Sequence, residues 1–137
     1  MKTEDKLAIH ELLSRASYGL DERNIDMLSG CFAEDAVMTL RIADGDMIGP
    51  FDGHQSIMKL MKDSMETQTD KRRHVTSNLF FEDESETNAK AISYLTLFAT
   101  ENGVIKLLTT GIYRDEVVKT ADGWKLKKRH LDLELPY

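Results

Sequence analysis

Two dipeptides in the second half of the chain constrain its fold more than any other feature. Asn102-Gly103 and Asp122-Gly123 each separate long segments rich in β-branched and aromatic residues. A type I′ hairpin turn requires positive φ at both central positions, which Asn, Asp and Gly tolerate. The flanking segments, Ala89 to Thr100, Val104 to Lys119 and Trp124 to Leu133, therefore read as hairpin-linked strands. A polar loop, Asp83 to Asn88, connects them to a further strand-like segment, Arg73 to Glu82. Short connections make consecutive strands neighbours, so the pattern predicts a four-stranded antiparallel meander.

The first half follows a different period. Ile9, Leu12, Leu13, Ala16 and Leu20 fall at helical spacing within Lys6 to Leu20, with Thr3 placed to cap the helix and Glu4 and Asp5 complementing its dipole. Asn24 is placed to cap a shorter helix that puts Ile25, Leu28 and Phe32 on one side. Alternation over Ala36 to Ile42 predicts a strand. Gly45, Gly49, Pro50 and Gly53 then mark a turn-rich stretch before a third helix, about Gln55 to Met65, with Ile57, Met58, Met61 and Met65 as its buried stripe. Three one-faced helices and one long sheet bury their apolar faces most simply by packing together, which predicts a single α+β domain over residues 1–137 with helices on one face of a curved sheet. A chain of this length removes roughly two-thirds of its unfolded surface from water, enough for one core.

Charge and composition narrow the partners. A net charge of −6 offers no broad cationic surface for phosphate backbones, so nucleic acid is not expected. No apolar run reaches the roughly 18 residues a membrane span needs. The opening MKTEDKLAIH lacks the basic and apolar regions of a secretory signal, so a cytoplasmic location is expected. A lone cysteine, Cys31, excludes an internal disulfide, and its neighbours Leu28 and Phe32 make it a core thiol. The chain has no HxH or HExxH spacing, no GxGxxG and no Walker A sequence, so neither a metal nor a nucleotide cofactor is expected.

Histidine is the side chain suited to moving protons near neutral pH, which makes His10, His54, His74 and His130 the first candidates for chemistry. His54 begins the third helix and reads as a cap or surface residue. His74 lies on the strand that opens the meander, and strict alternation places it with Thr76, Asn78 and Phe80, opposite Val75, Leu79 and Phe81. A carboxylate bonded to one imidazole nitrogen fixes the tautomer and leaves the other nitrogen free to accept a proton. Asp21, at the end of the first helix, is the candidate partner.

Over most of the chain the sequence resembles the SnoaL-like branch of the nuclear transport factor two-like superfamily. The resemblance rests on LLSRASYGLDERNIDMLSGCFAEDAV, GPFDGHQSI, RRHVTSNLFFED and GIYRDEVVKTADGWKLKKR, in that order and spacing. Members of that superfamily include scytalone dehydratase, bile acid 7α-dehydratase, a hexachlorocyclohexane dehydrochlorinase and the small subunit of ring-hydroxylating dioxygenases. The resemblance implies a cone-shaped α+β barrel whose sheet wraps an apolar pocket closed by helices. It also implies an Asp/His dyad at the positions of Asp21 and His74, with proton removal and loss of a leaving group as the chemistry. Tyr18 is then a candidate donor to a carbonyl or leaving oxygen. Arg129 either meets an anionic substrate group or forms a charged rim, and Asn78, Tyr94 and Tyr113 are candidate pocket-lining residues. The second histidine of scytalone dehydratase has no match here, and the spacing of Tyr18 from Asp21 departs from the bile acid dehydratase pattern.

Two functions follow from these observations. One is a cofactor-independent lyase or isomerase of a small apolar cyclic substrate. The other is a non-catalytic ligand-binding or assembly subunit like that of the dioxygenases. Apolar residues on both faces of the central strands predict association into a homodimer or homotrimer through the outer face of the sheet.

Overall fold

The computed structural model describes residues 1–137. Helix α1 (Thr3–Asp21) buries Ile9, Leu12, Leu13 and Ala16 of the predicted stripe and adds Ser17 to it, while Leu20 is half-buried. The helix begins at Thr3 itself, with Lys2 as N-cap and the Asp5 carboxylate accepting from the Lys2 backbone N–H. Asp5 also accepts from the Trp124 indole at 3.0 Å and from Lys119 at 3.1 Å, ties that fasten the start of α1 to the sheet. These bonds, the indole's first, hold its carboxyl below the usual aspartate value. Helix α2 (Ile25–Ser29) starts where expected, the Asn24 side chain accepting from Met27 N–H at 3.2 Å.

Strand β1 (Phe32–Ile42) is followed by β2 (Ile48–Asp52), a short antiparallel partner within the stretch that the sequence marked only as turns. Gly49 and Pro50 hide it, because both are disfavoured in strands except at an edge, and β2 is an edge. Helix α3 (His54–Thr67) buries Ile57, Met58 and Met61. The meander follows as β3 (Lys71–Glu84), β4 (Asn88–Glu101), β5 (Val104–Thr120) and β6 (Gly123–Leu133). The sheet order is β2-β1-β6-β5-β4-β3, antiparallel throughout except where β1 runs parallel to β6. The sheet is open, with β2 and β3 as its edges, so the expected barrel does not close.

The two predicted turns differ. Asn102 and Gly103 both have positive φ, 53° and 76°, as a type I′ turn requires. At the second turn only Gly123 does, at 100°, because Thr120 pairs with Gly123 and the loop residues are Ala121 and Asp122.

The helices pack on one face of the sheet around a core that includes Ile9, Leu13, Leu28, Ile57, Leu95 and Leu126, each no more than 2% exposed. Truncating such a side chain to alanine costs about 2–5 kcal/mol. Cys31 belongs to this core, and burial pushes its thiol pKa up. No helix is long and apolar enough to cross a membrane.

Candidate active site

The alternation predicted for β3 holds only as far as Ser77. Ser77 pairs with Tyr94 and Phe80 with Ile92, so Asn78 and Leu79 together oppose the single residue Ser93. This is a β-bulge, and Asn78 adopts φ 56° to make it. The inward residues are therefore Arg72, His74 and Thr76 before the bulge and Leu79 and Phe81 after it. Asn78 is exposed, and Phe80 is turned to solvent at 56% exposure. The sequence-based grouping of His74 with Asn78 and Phe80 fails because one extra residue reverses the two faces.

At the inward end of β3, the last residue of α1 meets His74. One Asp21 oxygen accepts from the His74 backbone N–H at 2.7 Å, and the other lies 2.5 Å from Nδ1. A carboxylate only accepts, so Nδ1 carries the hydrogen and the ring is held in a single tautomer. Nε2 has no protein partner, which leaves an acceptor available on a side chain only 13% exposed. Thr76, next inward on the strand, is 3.1 Å from the Ser17 hydroxyl of α1.

His74 borders a cavity between the helices and the sheet, and fourteen of its twenty lining residues are hydrophobic. Leu28 and Phe32 form one wall with Met38 and Leu40 of β1, Leu60 and Met61 of α3 form a second, and Leu95 and Leu97 of β4 a third. Tyr137 is the most exposed of the lining residues, at 47%, so it marks the mouth, where its ring lies 5.5 Å from the Arg72 guanidinium carbon. The cavity has a volume of about 70 Å³. One water needs ~10–15 Å³ on that measure, so roughly five waters, or one six-membered ring, can be held.

Arg129 lies in the cavity wall at 6% exposure. Its Nε and Nη2 donate to the two oxygens of Asp115 at 2.8 and 3.0 Å, and its guanidinium carbon sits 3.9 Å from the Tyr113 ring centroid. It is therefore neither a surface rim residue nor an isolated cation. Burial alone would lower its pKa, but the charge and hydrogen bonds of Asp115 more than offset this and raise it. Burial pushes the Tyr113 phenol up to about 12.

The structure thus brings Asp21, His74, Tyr113 and Arg129 together at or beside the cavity. It does not bring Tyr18, Tyr94 or Asn78. Tyr18 is 57% exposed because it shares the solvent-facing side of α1 with Glu11, Ser14 and Arg15. Tyr94 is 51% exposed on the outer face of β4. Sequence reasoning missed Ser17, Arg72, Asp115 and Tyr137. Periodicity carried a signal for three of them. Ser17 is four residues after Leu13, Arg72 is two before His74, and Asp115 is two after Tyr113, each on the face of its buried neighbour. Tyr137 gave none, since it follows the last strand.

His54 acts as a tie between helices, its Nε2 lying 2.8 Å from the Ser29 carbonyl oxygen. His130 faces the other side of the sheet, where Nδ1 lies 2.7 Å from the Thr39 hydroxyl and Nε2 2.9 Å from an Asp132 oxygen.

Comparison with known proteins places the fold. Among solved structures, a protein of unknown function with a cystatin-like fold from Nostoc punctiforme superposes with a TM-score of 0.82 at 22% identity, covering 99% of this chain and 97% of that one. A protein provisionally named an aromatic ring hydroxylase, from Novosphingobium aromaticivorans, gives 0.82 at 26% identity, covering 99% and 93%. One provisionally named scytalone dehydratase, from the same organism, gives 0.75 at 25% identity, covering 98% and 89%. No curated protein is similar enough in sequence to match. The model of the SnoaL-like domain matches residues 1–130, and the chain belongs to that family.

Proposed function

We propose that the protein is a cofactor-independent lyase or isomerase acting on a small, largely apolar cyclic compound, with His74 as the proton-transferring group. The observation that carries this reading is the Asp21 clamp on His74, which leaves Nε2 free at the wall of an apolar cavity. In an elimination, Nε2 takes a proton from the carbon beside a carbonyl, and that C–H electron pair becomes the new double bond. The bond to a β-hydroxyl breaks, and the departing oxygen takes the proton back from His74 to leave as water. Asp21 fixes the ring and offsets the imidazolium charge while it lasts. A positioned base of this kind contributes a factor of about 10²–10⁴.

The test is conversion of 3-hydroxycyclohexanone to 2-cyclohexenone, followed by enone absorbance, with deuterium uptake next to the carbonyl of cyclohexanone as a second assay. The expected result is turnover or exchange that falls at least about a hundredfold in His74→Ala. If neither compound reacts faster with the wild-type protein than with His74→Ala, the reading of His74 as a base is overturned.

Association through the outer sheet face belongs to the same reading. Val75, Tyr94 and Phe80 are exposed at 46, 51 and 56%. We expect sedimentation to show a dimer or trimer that Tyr94→Lys disrupts.

A further inference from the structure

The cavity wall has an unusual division of charge. Three of its residues carry basic side chains, Arg72, His74 and Arg129, and none carries a carboxylate. Each of the three is nevertheless held by a carboxylate that is absent from the wall. Asp70 is 3.0 Å from Arg72 Nε, Asp21 is 2.5 Å from His74 Nδ1, and Asp115 is 2.8 Å from Arg129 Nε. The side chains of these acids are 19, 7 and 0% exposed. A ligand inside therefore meets the N–H donors of two arginines directly but sits in the field of two guanidiniums against three carboxylates whenever His74 is neutral.

Arg129 is the innermost of these donors. Asp115 occupies its Nε and Nη2, and Nη1 makes no hydrogen bond within the protein. The guanidinium is fixed by two parallel hydrogen bonds and stacked over Tyr113, so Nη1 is presented in a set direction. A neutral acceptor such as a carbonyl oxygen gains this donor at no cost in charge. A carboxylate placed there becomes a second anion beside Asp115 around one guanidinium, in mostly apolar surroundings that screen the repulsion less than bulk water does.

We infer that the cavity selects neutral carbonyl compounds of one-ring size over carboxylates, with Arg129 Nη1 anchoring the carbonyl oxygen and Asp115 setting the charge preference. The inference rests on the reading of this cavity as the ligand site. It makes Asp115 a positioning residue, acting on the ligand through Arg129. It also replaces the alternatives of an anion-binding or rim arginine with a donor whose charge is already met.

The experiment is a pair of ligand-observed NMR titrations with acetophenone and benzoate, which share a ring and differ in charge. The wild-type protein is expected to bind acetophenone at least about tenfold more tightly, the penalty of an uncompensated buried charge being the larger effect. Asp115→Asn is expected to shift that ratio toward benzoate by about tenfold or more. Asp70→Asn, at the mouth, is expected to shift it the same way by about threefold and provides a second variant should Asp115→Asn not fold. Equal or tighter benzoate binding by the wild-type protein, or an unchanged ratio in a folded variant, overturns the inference. The same titrations on His74→Ala separate this inference from the proposed reaction. If elimination proves absent while the ratio persists, only the lyase reading fails. If elimination depends on His74 but benzoate binds as well as acetophenone, only the charge preference fails.

Discussion

The sheet carries a histidine bonded to an aspartate on each face, and the two settings could hardly differ more. On the inner face, His74 uses one nitrogen for Asp21 and keeps the other free beside a cavity of about 70 Å³ with mostly hydrophobic walls. On the outer face, His130 uses both nitrogens, one toward Thr39 and one toward Asp132, beside a groove of about 420 Å³. Only three of that groove's twelve lining residues are hydrophobic. The larger space holds the histidine with nothing left to give. Neither the volume nor the His–Asp bond sets the two apart; the free nitrogen at an apolar wall does.

The sharpest way to break this comparison is to remove each ring in turn. His74→Ala is expected to lose about 10²–10⁴ in the elimination rate, and His130→Ala to stay within about twofold of wild type. Equal losses would mean that the free nitrogen is not what matters. The next contrast lies in the carboxylates. Asp21→Asn leaves the ring free to turn and weakens a bond to the His74 backbone, so it should lower the rate at least about tenfold and cost about 1.5–3 kcal/mol of stability, read from urea midpoints. Asp132→Asn should leave the rate unchanged.

A smaller effect concerns acid. Burial works against the charged form of Asp132, but the His130 hydrogen bond and charge, with help from Arg114, still hold its pKa below the ordinary 3.8. A carboxyl depressed in the folded state adds stability above its unfolded pKa and loses it as pH falls through the folded one. Stability of the wild type should therefore fall more steeply than that of Asp132→Asn once pH drops below about 4. The difference should stay within about 1 kcal/mol, because this pair is partly exposed. Smallest of all, Thr39→Val should change the denaturation midpoint by no more than about 1 kcal/mol, the worth of one hydrogen bond.

Much of this architecture was legible because periodicity reports local geometry. The helical stripe from Ile9 to Leu20 and the Asn102-Gly103 turn depend only on nearby residues. Strand β2 escaped because Gly49 and Pro50 disguise an edge strand as a turn. The faces of β3 were misassigned beyond Ser77 because alternation assumes one residue for one, and Asn78 breaks that count. Residues 21 and 74 lie 53 positions apart, so no spacing rule joins them, and the resemblance to a family supplied the pairing. Arg129 was singled out but not its environment, which depends on Asp115 on the neighbouring strand.

The bulge at Asn78 gives β3 two reading frames. Before it, Arg72, His74 and Thr76 belong to the interior, and after it Leu79 and Phe81 do. Deleting Asn78 would pair Leu79 one for one with Ser93 and leave Leu79 and Phe81 inward. Straightening the strand with Asn78 kept would instead act like a frameshift written in space, drawing Phe80 inward and expelling Leu79 and Phe81. Relatives aligned without respect for that one residue would show scrambled polarity at positions 79 to 81 while sharing the same fold.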